Sequence, residues 1–195
     1  FLVNFSDYLD TGIFLDHRTT REIIGDLSKD SDFLNLFAYT GTASVYAAAG
    51  GAVSTTSVDN SNTYTDWAKE NMEINGFKGN NHRFIKDDCV HWLDTDKSKY
   101  NLIFLDPPTF SNSKGAERSL DIQKDHVELI KKCINRLKSN GTLIFSTNFR
   151  KFKMDIDSLT DLHIDDISQE TIPMDFERNK KIHYCWNIKR KNNER

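Results

Sequence analysis

The sequence predicts an α/β fold in which a mostly parallel sheet is covered by helices on both faces. Three observations predict it. Short apolar runs alternate with helical patterns along most of the chain, and those runs are too uniformly apolar to leave one face in water. From Leu162 onward the pattern changes to alternating apolar and polar residues, as in antiparallel strands with one wetter face. In chain order, a helix is expected near residues 17–27 and a strand at 33–37, followed by an Ala-rich helix at 42–49. A second strand at 52–58 leads into a helix over 62–75, where Tyr64, Trp67, Ala68 and Met72 recur at three-to-four spacing before Asn75-Gly76 stops it. A third strand at 82–85, a short helix near 90–94 and a fourth strand at 102–105 come next. The longest helix is expected over 119–138, with Ile122, Val127, Ile130, Ile134 and Leu137 on one stripe and a stop at Asn140-Gly141, before a fifth strand at 143–145. In the tail, Ile164, Ile167 and Ile172, then Ile182, Tyr184, Trp186 and Ile188, read as the antiparallel strands.

The 195 residues, 1–195, suit one domain with a proper core. Only 37% are apolar and the mean hydropathy is −0.60, yet the apolar runs and 13 Phe recur regularly, as in a folded protein rather than a disordered one. The most apolar stretch, 36–53, is broken by Thr40, Gly41, Thr42, Ser44, Gly50 and Gly51, so no membrane helix is expected, and the start lacks a basic signal-peptide region. Three widely spaced cysteines, at 89, 133 and 185, form neither a disulfide framework nor a zinc site, which favours the cytoplasm; the six histidines show no metal-ligand spacing. With 26 Lys plus Arg against 29 Asp plus Glu, the net charge of −3 argues against a partner held by bulk positive charge and leaves local basic patches open. The chain begins at Phe1 without an initiator Met and is expected to be a fragment of a longer protein.

Chemistry concentrates at the strand ends. After the first strand, Ala38-Tyr39-Thr40-Gly41-Thr42 turns sharply into a helix, which brings backbone N–H groups and a helix N-terminus to the ligand-binding edge of an open α/β sheet; a tight turn that only glycine fits explains Gly41 equally well. Asp59, eighteen residues after Gly41 and just past the second strand, is placed to accept hydrogen bonds from both hydroxyls of a ribose. The three spaced glycines of a dinucleotide fingerprint are missing, so an adenosyl ligand without a diphosphate fits better than NAD. Asp87-Asp88-Cys89 after the third strand offers a carboxylate for an adenine amine, or a helix N-cap. Asp106-Pro107-Pro108 ends the fourth strand: the prolines remove two donors and restrict Asp106, so a rigid strand end presents a carboxylate and two free carbonyls. A plain strand terminator is the alternative.

Taken in order, Asn35-Leu-Phe-Ala-Tyr-Thr-Gly-Thr42, Ser57-Val-Asp59-Asn-Ser61, Asp88-Cys89 with Trp92-Leu93, and Asp106-Pro-Pro-Thr-Phe-Ser-Asn-Ser-Lys114 resemble class I S-adenosylmethionine (SAM)-dependent methyltransferases acting on 23S ribosomal RNA. The resemblance is closest to the C-terminal, guanine-N7 half of the bacterial bifunctional 23S rRNA guanine methyltransferases. It continues through Asp10-Thr-Gly-Ile-Phe-Leu-Asp16-His-Arg18, Ser146-Thr-Asn148, Phe152-Lys-Met-Asp155 and Asp175-Phe-Glu-Arg-Asn179 with Ile182-His-Tyr-Cys-Trp186, spanning nearly the whole chain. It implies a Rossmann-like, seven-stranded sheet whose last strand is antiparallel, and SAM as cofactor. It further implies that Phe14, Asp16 and Arg18 close over the cofactor, Arg18 taking its carboxylate. Asn35, Phe37, Ala38 and Gly41 would line the methionine side, Asp59 the ribose, Asp88 and the Cys89 backbone the adenine, and Asp106 the sulfonium end. Without the resemblance, Asp16 reads as a helix cap and Arg18 as a solvated charge.

What each acceptor atom needs narrows the choice. Cytosine C5 requires a thiolate nucleophile, and in related C5 enzymes a cysteine follows the fifth strand where this chain has Ser146-Thr147-Asn148. Guanine N7 has an in-plane lone pair and no proton, so transfer is above all a matter of orientation. Exocyclic amines such as guanine N2 are conjugated, and their enzymes typically place an aromatic directly after the prolines; here Thr109 intervenes before Phe110. The motif alone does not exclude an exocyclic nitrogen; the resemblance carries the choice of N7 of a guanine in 23S rRNA or an assembly intermediate, with Asp106, Pro107 and Pro108 at the reacting centre and guanine N2 or cytosine C5 as the alternatives. Reaching N7 in structured RNA calls for unstacking the base. Phe110 is a stacking partner or a buried aromatic, Lys114 and Arg118 read as a mobile substrate loop around Gly115, and Arg150, Lys151 and Lys153 form a second basic cluster. An RNA-binding or second methyltransferase region N-terminal to the fragment is implied as well. The competing readings are a SAM-binding RNA module without independent activity and a nicotinamide-dependent oxidoreductase.

Overall fold

The computed structural model describes residues 1–6, 11–111 and 119–191. After a single 3₁₀ turn at Leu15–His17, α1 (Arg18–Leu27) leads to β1 (Asp32–Leu36), α2 (Thr42–Ala49), β2 (Ser54–Asp59), α3 (Asn62–Ile74), β3 (His82–Lys86), α4 (Cys89–Thr95) and β4 (Tyr100–Leu105). A two-stranded ribbon, β5 (Phe110–Ser111) with β6 (Leu120–Asp121), precedes α5 (Ile122–Arg136), β7 (Leu137–Thr147), β8 (Leu162–Asp166), α6 (Ser168–Thr171) and β9 (Tyr184–Arg190). The large sheet has the order β3-β2-β1-β4-β7-β9-β8. Strands β3, β2, β1, β4 and β7 run parallel, and β9 is antiparallel to both of its neighbours, so the seven-stranded sheet with an antiparallel last strand is present.

The central strands β1, β4 and β7 are buried on both faces, for the reason the apolar runs suggested, while the edge strands β3 and β8 are partly exposed. Because strand side chains alternate, Leu34, Leu36, Ile103, Leu105, Leu143 and Phe145 enter the core beneath α4 and α5, while Phe33, Leu102, Phe104 and Ile144 pack with Ile24, Ala43 and Ala47 of α1 and α2. Full burial of each such side chain stabilises by about 1.5–3 kcal/mol. On the first face Phe145 stacks on Trp186 of β9 at 5.4 Å, which ties the antiparallel strand into the same core. Helix α2 spans the residues expected, and Gly50 at its C-terminal end packs directly on α1: a Cβ there would lie 1.9 Å from the Gly25 carbonyl oxygen.

Two elements depart from the pattern. Helix α5 stops at Arg136, well before Asn140-Gly141, because the Arg190 guanidinium reaches back from β9 to the carbonyls of Ile134, Leu137 and Lys138 and satisfies the helix end. Strand β7 then starts at Leu137, and the register with β4 shifts between Tyr100↔Leu137 and Leu102↔Thr142. In the tail, Ile167 and Ile172 lie outside any strand. They flank α6, whose Ser168 hydroxyl bonds Asp166 and the Cys185 carbonyl at the sheet edge, and Ile182 precedes β9. Among the described residues no helix is long and apolar enough to cross a membrane.

Candidate active site

The carboxyl ends of β1, β2, β3, β4 and β7 converge on a cleft of about 1140 Å³. Its floor is the β1–α2 loop, in which Phe37 (φ 55°), Tyr39 (φ 51°) and Gly41 (φ 70°) all take left-handed backbone conformations. Two such non-glycine residues so close together are costly, on the order of 1–3 kcal/mol each, and persist only where neighbours over-determine them. Here they do. The Phe37 N–H donates to Cys89 Sγ (3.1 Å), Ala38 N–H to the Val58 carbonyl (3.0 Å) and Tyr39 N–H to Asp59 Oδ2 (2.9 Å). Gly41 is buried and does not face the cleft; a Cβ would sit 2.6 Å from that of Ala68 on α3, so the glycine permits close helix packing behind the loop. Phe37, Ala38, Thr42 and Ala43 form the cleft wall. Asn35, 2% exposed, also lines it and is held from behind, Nδ2 donating to Ser44 Oγ (3.1 Å), which in turn bonds Ser57 Oγ (2.7 Å).

Asp59 lies where β2 ends, its carboxylate held by backbone N–H groups: Oδ2 by that of Tyr39, Oδ1 by that of Ser61 (2.9 Å), with the Asn60 N–H as a third. Burial pushes its carboxyl above the ordinary range, against the backbone hydrogen bonds of Ser61, Tyr39 and Asn60. Asp88 caps α4, Oδ1 accepting from the N–H groups of Val90 (2.9 Å) and His91 (3.0 Å), so the capping alternative is realised in a residue that also lines the cleft. Asp87 pairs with His91 at 3.0 Å. The Cys89 thiol points into the core, where burial pushes it well up.

Asp106 and Pro107 carry β4 to the opposite side of the cleft, Asp106 Oδ1 accepting from Ser146 Oγ of β7. Nearby, the segment before α1 supplies Phe14, Asp16 and His17. Asp16 Oδ2 bonds His183 Nδ1 (3.0 Å) and lies 3.7 Å from His17 Nε2, whose other ring nitrogen is 3.7 Å from Asp106 Oδ2. Burial presses His17 below the usual 6.5, against the pull of the two carboxylates, and so favours its neutral form. Burial also acts to raise Asp16, but the His183 hydrogen bond and the two imidazoles outweigh it, and its carboxyl sits below the ordinary range. Two carboxylates around a neutral imidazole make this end of the cleft attractive to a cation. The donor atoms of Asp16, His17 and His183 lie within 4.8 Å of one another, a grouping hidden from sequence spacing because His183 arrives from the far end of the chain.

Arg18 is placed differently from the expectation. Its guanidinium pairs with Asp175 on the outside (Nη1–Oδ2 3.0 Å) and is not among the lining residues. One helical turn on, Arg21 lines the cleft at 4% exposure. It donates to the Phe14 carbonyl (2.7 Å) and lies over the Tyr46 ring (5.6 Å), yet its Nε has no hydrogen-bond partner and no carboxylate pairs with it among the described residues. Phe110, 63% exposed on the β5–β6 ribbon, is not a buried aromatic. Arg150 and Lys153 are exposed on the loop after β7, whose Asn148 lines the cleft and accepts from Thr109 Oγ1 (3.0 Å). Lys114 and Arg118 lie outside the described residues.

A family model described as S-adenosylmethionine-dependent methyltransferase matches residues 1–174, the span that contains every strand end around the cleft. The chain belongs to that family. SAM is thus the cofactor of this methyltransferase, and a buried guanidinium that no carboxylate among the described residues pairs with, together with strand-end carboxylates, is what an amino-acid carboxylate and a ribose would need. Curated relatives agree. The ribosomal RNA large subunit methyltransferase K/L of Vibrio parahaemolyticus is 55% identical over 187 residues, covering 95% of this chain, and that of Allochromatium vinosum is 55% identical over 190 residues, covering 96%. The methyltransferase spans about a quarter of those relatives' length, 26% in each case. Among solved structures, the methyltransferase SMU.776 complexed with SAH superposes with a TM-score of 0.79 at 27% identity, covering 96% of this chain and 52% of that one. A SAM-dependent methyltransferase from Streptococcus mutans gives 0.77 at 26% identity, with the same coverage.

Proposed function

We propose that this methyltransferase modifies N7 of a guanine in 23S ribosomal RNA, within a longer protein whose further regions contribute to RNA capture. The observation that carries the acceptor assignment is the end of β4, where Asp106 faces the cleft and is followed by two residues without an N–H. A backbone donor at that point would hydrogen-bond to N7 and occupy the lone pair that must attack. The prolines withhold that donor and leave carbonyl oxygens, which suit the positive charge a base acquires on N7 methylation. Thiolate chemistry finds no support, since Cys89, Cys133 and Cys185 are all buried and burial pushes each thiol up.

Bound SAM supplies a methyl group made electrophilic by its sulfonium. In this reading Asp59 holds the ribose hydroxyls, Asp88 and the Cys89 backbone the adenine, Asn35, Phe37 and Ala38 the methionine side, and Arg21 its carboxylate. Asp106 faces the sulfonium end, oriented by the Ser146 hydroxyl, with Asp16 and neutral His17 behind it. Phe14 covers the cleft mouth next to Tyr39, their ring centroids 5.1 Å apart. Phe110 offers a stacking surface and Arg150 and Lys153 phosphate contacts beside the base. An in vitro 23S rRNA transcript in which 7-deazaguanosine replaces guanosine keeps every exocyclic group and lacks N7. Label from SAM should enter the unsubstituted transcript and fall to background in the substituted one; equal labelling of both would move the acceptor to another atom.

A further inference from the structure

The Thr147↔Tyr184 pairing at the end of β7 and start of β9 brings two loops together at the carboxyl edge, beside the Asp106 side of the cleft. The first, residues 148–153, carries Arg150, Lys151 and Lys153 with no acidic residue; the second, 177–183, carries Arg178, Lys180 and Lys181 with only Glu177 against them. All six cations are exposed. Several basic groups elsewhere are neutralised, Lys69 by Glu73, Lys124 by Asp121, Lys132 by Asp94, Lys138 by Asp32 and Arg18 by Asp175, while Arg136 and Arg190 bind carbonyls; exposed lysines such as Lys29 and Lys78 are scattered singly rather than gathered on adjacent loops. None of the six has a carboxylate partner among the described residues.

The loops are also held in shape. Tyr184 Oη donates to the Arg150 carbonyl (3.2 Å), Gln123 brackets Lys153 through both its N–H and its carbonyl (2.9 Å each), and Phe152 is buried between them in the core. The second loop is a succession of turns, Glu177 N–H to Met174 O (3.3 Å), Asn179 N–H to Phe176 O (2.8 Å) and Ile182 N–H to Asn179 O (2.9 Å). It is pinned at one end by the Arg18–Asp175 pair and at the other by His183 on Asp16. Unneutralised charge on an ordered backbone costs little further entropy when an anion docks. Met174, 82% exposed at the start of the same connection, adds an apolar surface on which a base can rest.

We infer that these two loops form one continuous track for the backbone phosphates of the RNA strand flanking the target base, with Arg178, Lys180 and Lys181 as its outer half. The inference rests on the RNA reading above. Its test compares two charge-matched variants, Lys180→Ala/Lys181→Ala on the track and Lys29→Ala/Lys78→Ala at the amino edge of the sheet, binding a labelled single-stranded RNA of mixed sequence across a salt series. The track variant should bind roughly tenfold more weakly near 0.1 M salt and lose about 1.4 from the slope of log K against log salt, at about 0.7 per phosphate contact. The amino-edge variant should follow wild type, and both should bind SAM normally by calorimetry. Equal weakening by the two pairs, or an unchanged slope in the track variant, would overturn the track while leaving the RNA reading intact. Wild-type protein that neither binds RNA at low salt nor methylates it would overturn that reading and the track together.

Discussion

Asp59→Ala is expected to weaken SAM binding by about 10- to 100-fold, the equivalent of one charge-assisted hydrogen bond at about 1.5–3 kcal/mol. The carboxylate sits at the end of β2 held by the backbone N–H groups of Tyr39, Asn60 and Ser61, so its lone pairs directed away from them are those available to a ribose. Because burial raises its pKa, the charged form is a cost to the ligand-free fold above the ordinary carboxyl range, and ribose hydroxyls would offset that cost on binding. Calorimetry with SAM reads the loss directly. Alanine also leaves the Tyr39 and Ser61 N–H groups without their acceptor, so stability should fall by about 1–3 kcal/mol in chemical denaturation. A variant that loses stability but keeps SAM affinity would place the ribose elsewhere.

Arg21→Met should reduce SAM affinity by a similar factor while leaving the stability of the free protein within about 1 kcal/mol of wild type. The reason is an imbalance in the ligand-free cleft. A nearly inaccessible guanidinium with an unsatisfied Nε carries a desolvation cost that its contacts with Phe14 and Tyr46 offset only in part, and methionine of similar length removes that cost. Against that gain, the substitution gives up the hydrogen bond to Phe14 and the contact with Tyr46. Arg18→Ala is the informative companion: with its guanidinium engaged by Asp175 outside the cleft, affinity should change less than about twofold, as for other exposed pairs. The opposite ranking, with Arg18 essential and Arg21 dispensable, would restore Arg18 as the carboxylate ligand.

That choice between two arginines shows where sequence reading reaches its limit. The positions of the central strands and their two-sided burial were legible because runs such as Leu102-Ile-Phe-Leu105 leave no face for water, and α2 because glycines flank it at 41 and 50. The carboxylates Asp59, Asp88 and Asp106 were legible because a charge at, or one or two residues past, the end of a parallel strand has to lie at the sheet edge. Arg21 carried a signal in its helical phase, three residues before the fully buried Ile24, which turns it inward while Arg18 begins the helix at the surface. His183 carried none. Its bond to Asp16 joins residues 167 positions apart, and only the antiparallel return of β9 brings them together. The early end of α5 was hidden for the same reason, since the capping guanidinium of Arg190 lies on the last strand.

The central claim, transfer of a methyl group from SAM to guanine N7 of 23S rRNA at the Asp106 end of the cleft, is tested most directly by the identity of the product. The protein is incubated with methyl-labelled SAM and unmodified 23S rRNA, and the RNA is digested to nucleosides and separated. Label should co-migrate with 7-methylguanosine and be absent when Asp106→Ala replaces the wild type. Label in N2-methylguanosine or 5-methylcytidine, or undiminished 7-methylguanosine from the variant, would contradict it.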